Sequence, residues 1–466
     1  MLLPLTPLRF LHRAAGEFGG KTGVVCGESR FTYLEFADRV HRLTGALKKG
    51  GIGPGDRVAF LSFNCHRLLE AYYGAPQAGA ILLPLNVRLA PEEQGAILNH
   101  SGARAVFFAL EFLPAVEKFR QSAPGVQWYV PLDPCPAGAW ADRRSYDELV
   151  AGAAPGPADY RPVDENSIAE IFYTSGSTGR PKGVMLSHRT LYLHALYVLA
   201  GLGANEAGVE LHTIPLFHAN GWGRAHTPTF IGARHVMCKR FDPQWVLETI
   251  QRERVTTFSM VPTMATALIH FPGLRQYDLS SLHFVNLGGA PSAPALVKAV
   301  EQALGCRAYA GYGLTETSPV LCTAQVKNGL AGLPDDERIQ RQAMTGFPIP
   351  GVEMRVVDAE GRDVARDLAA IGERVLASHP AVYESAVVGV PDQKWGEVPK
   401  AFVSLQPGAA ATEAELKDFV RQRLAGFKVP KSVEFLDALP KGSTGKILKR
   451  SLRDPYWAGM EKRVHG

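Results

Sequence analysis

The sequence predicts an α/β protein: a large N-terminal domain of mixed and parallel sheets flanked by helices, plus a small mobile α+β C-terminal domain. Three observations carry this. Strand-like and helix-like segments alternate along most of the chain, the pattern of a largely parallel sheet. Four strand-like runs end in Gly- or Pro-bearing turns that carry His, Trp, Tyr, Thr or Glu, and ligands of open α/β sheets collect beyond the carboxyl ends of strands. The composition shifts near Gly361, and 466 residues exceed one typical core, so two or three domains are expected.

Composition excludes several classes. Apolar content is 46%, charged content 20% and net charge +5, the values of a soluble globular chain. No basic stripe with interleaved aromatics appears, so nucleic acid is not an expected partner. The six cysteines (26, 65, 135, 238, 306 and 322) are scattered without a C-x-x-C pair, as in a reduced cytoplasmic protein. Met1 to Phe10 is apolar but broken by Pro4 and Pro7 and lacks a basic flank, so it is not a signal peptide. No run reaches the ~20 apolar residues of a membrane span.

In order, Phe31-Thr32-Tyr33 opens a helix through Phe36, Val40, Leu43 and Leu47, and Val58 to Ser62 is a strand. A helix through Leu69, Ala71 and Ala75, a strand over Ala80 to Leu85, a helix from Pro91 to Leu98 and a strand over Ala105 to Phe108 repeat the unit. Gly16 to Thr22, a short imitation of a phosphate loop, reads as a turn. Pro134 to Gly156 reads as a surface excursion. Later strands run from Leu211 into His218 to Trp222, from Val255 into Pro262, from His283 into Gly288 to Pro291, and from Arg307 into Gly311 to Thr317. Beyond Gly361, two strand-like runs and a helix through Leu416, Phe419, Val420 and Leu424 form the small unit.

The most informative stretch is Tyr173-Thr174-Ser175-Gly176-Ser177-Thr178-Gly179-Arg180-Pro181-Lys182-Gly183. An apolar strand feeds a loop of hydroxyls and glycines, and the spacing of Leu191, Ala195, Val198 and Leu202 predicts that the loop joins that strand to a helix. Glycines let backbone approach a ligand closely; hydroxyls, amides and Lys182 suit phosphate oxygens. A Walker A loop is excluded: counted from Gly176, Pro181 stands where that motif needs Gly, and Gly183 follows Lys182 where it needs Ser or Thr.

Taken together, these segments resemble the adenylate-forming superfamily: acyl-CoA synthetases, adenylation domains and luciferases. The loop resembles its phosphate loop over eleven consecutive residues, Tyr312 to Thr317 its second signature, Gly289-Ala290-Pro291 its adenine-site turn, and Pro440 to Lys446 the segment bearing its C-terminal lysine. Phe217 to Trp222, Lys327 with the charged helix to Gln342, and Thr345 to Pro350 are most similar to medium- and long-chain fatty acyl-CoA ligases.

The resemblance implies that ATP activates a carboxylic acid as acyl-adenylate and that CoA then displaces AMP. It implies phosphate contacts from Thr174, Ser175, Gly176, Ser177, Thr178, Gly179 and Lys182, and nucleotide contacts from Gly289, Ala290, Pro291, Gly311, Tyr312, Gly313 and Thr315. It implies Mg²⁺ at Glu316 and Thr174, and an acyl site at His218, Trp222, Val261, Gly288 and Gly289. By charge alone Lys441, Lys446, Lys449 and Arg450 are equivalent members of a solvated basic tail. The resemblance selects Lys446 as the residue that neutralises the reacting carboxylate and α-phosphate. A homodimer is implied too.

One departure stands against the match. The family's ribose-binding aspartate motif, its hinge and the glycine-rich start of its C-terminal domain are absent, with an apparent join between Glu373 and Arg374. The expected boundaries are therefore 1–365 and 374–466. Omission of a mobile hinge from these residues is expected over a gene deletion or a shortened chain, because hinges are where order is lost. Activation of an aromatic, methylthio or amino acid is the alternative within the superfamily. A catalytically impaired adenylate-binding protein is the alternative if the segment is truly deleted.

Overall fold

A computed structural model describes residues 3–135, 140, 144–175, 181–202, 204–330, 332–356, 376, 379–392, 396–422, 429–442 and 447–458. In chain order the strands are β1 (Thr22–Cys26), β2 (Ser29–Thr32), β3 (Arg57–Leu61), β4 (Ile81–Pro84), β5 (Ala103–Phe108), β6 (Trp128–Pro131), β7 (Ile168–Ser175) and β8 (Pro181–Ser187). They continue as β9 (Val209–His212), β10 (Arg234–Met237), β11 (Thr257–Met260), β12 (Phe284–Leu287), β13 (Arg307–Gly313), β14 (Val320–Thr323) and β15 (Phe347–Pro348). The last three are β16 (Val382–Asp392), β17 (Gly396–Leu405) and β18 (Ser432–Phe435).

The helices Tyr33–Lys49, His66–Gln77 and Pro91–Ser101 form where the sequence predicts. The first helix, Leu8–Glu17, is not among those the sequence predicts, and it takes in Gly16, where the sequence reads as a turn. Thr32 caps the helix Tyr33–Lys49: its hydroxyl accepts from the Glu35 N–H (3.2 Å) while the Glu35 carboxylate accepts from the Thr32 N–H (2.7 Å). This reciprocal box satisfies two donors that a helix start otherwise leaves unpaired. The helix buries Phe36, Val40, Leu43 and Leu47. The expected surface excursion is only partly one: Trp140 and Tyr146 within it are buried.

A six-stranded sheet has the order β6-β5-β3-β4-β7-β8 and is parallel except for the β7–β8 pair. Its central strands are apolar on both faces: Val58 and Phe60 enter one core, Ala59 and Leu61 another, as a covered parallel sheet requires. A nine-stranded sheet has the order β15-β14-β13-β12-β11-β9-β10-β1-β2, with antiparallel pairs only at its two edges. The third sheet, β16-β17-β18, has a core of its own around Val382, Ala401, Val403, Leu416 and Val420. Among the described residues, no helix is long and apolar enough to cross a membrane.

One expectation is corrected. The phosphate-loop candidate does not join a strand to a helix; it closes an antiparallel hairpin. Tyr173 pairs with Gly183, Thr174 with Lys182 and Ser175 with Pro181. The helix His188–Leu202 starts only after β8. The residues Lys182 to Ser187 prefer ladder pairing with β7, because alternate ones then reach the core: Leu186 is buried between exposed Met185 and Ser187 of intermediate exposure.

Candidate active site

The carboxyl ends of β11, β12 and β13 open onto one cleft of about 820 Å³. Its walls include His218, Trp222, Gly288, Gly289, Gly311, Tyr312, Gly313 and Thr315. Four separate stretches of sequence thus meet in one space. Tyr312 is 41% exposed, so a ring face is open to a ligand rather than packed in a core. Gly313 must lack a side chain, since a Cβ there would lie 1.8 Å from the Pro319 carbonyl oxygen.

Ala290 and Pro291 follow Gly289 but are not among the cleft's lining residues. Thr174 is half-buried, while Lys182 and Glu316 are exposed. The register sets Thr174 opposite Lys182, and β8 runs beside the short 3₁₀ turn Thr315–Thr317 that carries Glu316. Gly176, Ser177, Thr178, Gly179 and Lys446 lie outside the described residues, as do Glu373 and Arg374; Ser175 is described in its backbone.

The residues around Trp222 have an unusual backbone. Ala219, Asn220, Gly221, Trp222 and Gly223 all have positive φ, between 43° and 80°. L-residues pay roughly 1–2 kcal/mol each for the left-handed conformation, so the surroundings must hold this turn. Asn220 does so from inside: its Oδ1 accepts from the Gly223 N–H (2.7 Å) and its Nδ2 donates to Glu170 Oε2 (2.9 Å). Glu170 Oε1 in turn accepts from His226 Nε2 at 2.6 Å. Glu170 is fully buried on β7, the strand that feeds the phosphate-loop candidate. One carboxylate therefore ties the loop's strand to the aromatic turn. Sequence reasoning missed it; a lone Glu within Ile168-Ala169-Glu170-Ile171-Phe172 was the available signal.

The turn sets the Trp222 ring over the glycines after β12. A Cβ on Gly288 would lie 3.0 Å from that ring, and one on Gly289 would lie 3.1 Å from Val261. A second cavity of about 1170 Å³ lies past this partition. His218, Trp222 and Gly289 line both spaces, whereas Val261 lines the second. The expected acyl residues therefore divide between two compartments separated by an indole.

Behind the cleft lies a set of buried histidines. Burial pushes His194 and His212 down to about 3, with the positive charge of Arg224 adding to the effect. Burial likewise holds His235 well below the usual imidazole range. These rings are neutral. His194 Nε2 accepts from the Val320 N–H at 3.1 Å, and His212 and His235 stand 2.9 Å apart, nitrogen to nitrogen.

Comparison with known proteins gives this geometry a family. The profile described as AMP-binding enzyme matches residues 11–387, and that of the AMP-binding enzyme C-terminal domain matches residues 372–446. The long-chain-fatty-acid–CoA ligase of Thermus thermophilus is 35% identical over 522 aligned positions, covering 96% of this chain and 95% of that protein. The 4-hydroxybutyrate–CoA ligase 2 of Metallosphaera sedula is 31% identical, covering 98% and 96%. The crystal structure of the anthranilate CoA ligase AuaEII with anthranoyl-AMP shares the fold, with a TM-score of 0.81 at 24% identity over 98% of each chain. Because 522 positions exceed 466 residues, at least 56 positions of the Thermus protein have no counterpart here. The chain belongs to the AMP-binding enzyme family and is an acid–thiol ligase.

Proposed function

We propose that the protein activates a medium- or long-chain fatty acid with ATP and transfers the acyl group to CoA. A carboxylate oxygen attacks the α-phosphorus of ATP, the bond to pyrophosphate breaks, and acyl-adenylate forms. The sulfur of CoA then attacks the acyl carbon, its proton is lost, and AMP departs. The observation that carries this reading is the single cleft: the Tyr312–Thr315 and Gly288–Gly289 strand ends share it with His218 and Trp222. A nucleotide and an acyl group can therefore lie end to end there. His218 and Trp222 hold the carboxyl end of the acid, and Tyr312 offers its ring to adenine.

Pyrophosphate departure builds charge on oxygen, which cations stabilise. Glu316 is exposed without an ion pair among the described residues, and Thr174 adds a hydroxyl. No group of three or more His, Cys, Asp or Glu among the described residues forms a metal cage. That donor set suits Mg²⁺, which is commonly held by one or two carboxylates with substrate phosphates completing its shell. Mg²⁺ there supplies charge neutralisation.

We place the domains at 1–365 and 374–466 and the shortfall against relatives at Glu373–Arg374. Cytoplasmic location rests on six free cysteines, and a homodimer rests on the family resemblance. Lys446 is assigned to the adenylation step: Lys446→Ala is expected to abolish acid-dependent exchange of labelled pyrophosphate into ATP while sparing thioester formation from supplied acyl-adenylate. Equal loss of both steps overturns the assignment. The missing positions favour a second reading, an adenylate-binding protein deficient in thioester formation. Exchange without CoA-dependent AMP release identifies that case.

A further inference from the structure

The cleft has a deep end that a plain hydrocarbon does not explain. Ser259 on β11 and Asn286 on β12 are cross-strand neighbours and line it below Gly288–Gly289. Neither side chain makes a hydrogen bond among the described residues. Arg224 lines the same space with its side chain only 6% exposed. One guanidinium nitrogen pairs with Glu210 of β9. Its Nε and Nη1 have no partner.

Register gives these groups their depth. Glu210 stands level with Thr257, two residues before Ser259 on β11. The guanidinium thus lies on the side of Ser259 away from the nucleotide-facing strand ends. Beyond it is a third cavity of about 470 Å³, for which Arg224 is the one residue shared with the cleft. An unpartnered buried donor costs about 1–3 kcal/mol. A site that leaves two such donors beside two uncommitted polar side chains is built to receive an acceptor. Glu210 and Arg224 already neutralise each other, so a second carboxylate would bring unpaired charge into a closed space.

We propose that Arg224, Ser259 and Asn286 recognise a neutral oxygen, a hydroxyl or carbonyl, at the distal end of the acid. This rests on the ligase reading and narrows its substrate to hydroxy- or oxo-acids. A site built to bond an OH rejects the analogue lacking it far more strongly than an apolar pocket rejects an added group.

The test is CoA-dependent AMP release by the full chain across acids of four to ten carbons. At each length a plain acid, its ω-hydroxy and oxo analogues and the diacid are compared. At the best length, kcat/KM for the hydroxy- or oxo-acid is expected to exceed the plain acid's by about tenfold or more. Asn286→Leu, which leaves the ion pair intact, and the double variant Arg224→Leu/Glu210→Leu, which removes both charges together, should each shrink that ratio. The KM for ATP should stay fixed. Plain acids equal or better at every length, a diacid ranking first, or a ratio unmoved in both variants overturns the inference and leaves the ligase reading standing. No AMP release with any acid overturns both.

Discussion

The two faces of the nine-stranded sheet differ in kind. One face carries Leu211, Val236, Phe258, Met260, Val285, Leu287 and Ala308, packed on helices through Val246, Leu247, Ile250, Leu268, Val297 and Val300. The other carries Glu210, His212, His235, Thr257 and Ser259, all buried, with Asn286 half-buried. A parallel sheet covered on both sides is ordinarily apolar on both, as the six-stranded sheet is. The polar face therefore needs another reason, and its position supplies one: it is the floor of the cleft and of the histidine set behind it. Face one packs the core; face two contributes Ser259 and Asn286 to the wall of the candidate site.

The sharpest way to break this division is a cavity in the apolar face. Phe258 is fully buried, so Phe258→Ala is expected to cost about 3–5 kcal/mol, read as a lower denaturant midpoint. The ranking of acids in steady-state assays should not change. A reordered acid preference would mean that the two faces are not separable.

The polar seam predicts the converse. Glu170→Gln keeps the size of the side chain but removes the charge that accepts from Asn220 and His226. Hydrogen bonds to charged groups contribute about 1.5–3 kcal/mol, so a loss of that size is expected in stability. The larger consequence is for the strained Trp222 turn, which loses its anchor. KM for the acid should rise with KM for ATP nearly constant. If both rise together, Glu170 supports the loop strand and not the turn.

Much of the apolar face was legible from sequence, because alternation along short strands needs only neighbouring residues. The strand ends with Gly288–Gly289 and Gly311–Gly313 were legible for the same reason. The hairpin at β7–β8 was not: Leu191, Ala195 and Val198 gave a true helix, and its periodicity masked a short strand whose partner had already passed. The Glu170–Asn220–His226 link and the Arg224–Glu210 pair were invisible, since each joins residues brought together by the packing of separate strands. A single Arg in Trp222-Gly223-Arg224-Ala225-His226 has no local signal of burial.

The last expected effect is on pH, and it separates the faces most cleanly. His194 and His212 have folded values near 3 against about 6.5 in an unfolded chain. Between those limits the unfolded state binds protons that the folded state refuses, so stability falls as pH drops below 6.5. Each buried ring contributes a slope of about 1.4 kcal/mol per pH unit in that window. Thermal unfolding between pH 7.5 and 4.5 should show a steep decline of Tm in wild type. His212→Gln, which keeps a partner for His235, should reduce the slope by about one ring's share, whereas Phe258→Ala should lower Tm at every pH and leave the slope unchanged. An unchanged slope in His212→Gln would remove the buried histidines as the source of the acid sensitivity and leave carboxylates such as Asp147, held low by its bonds to Arg39 and Arg67, to account for it.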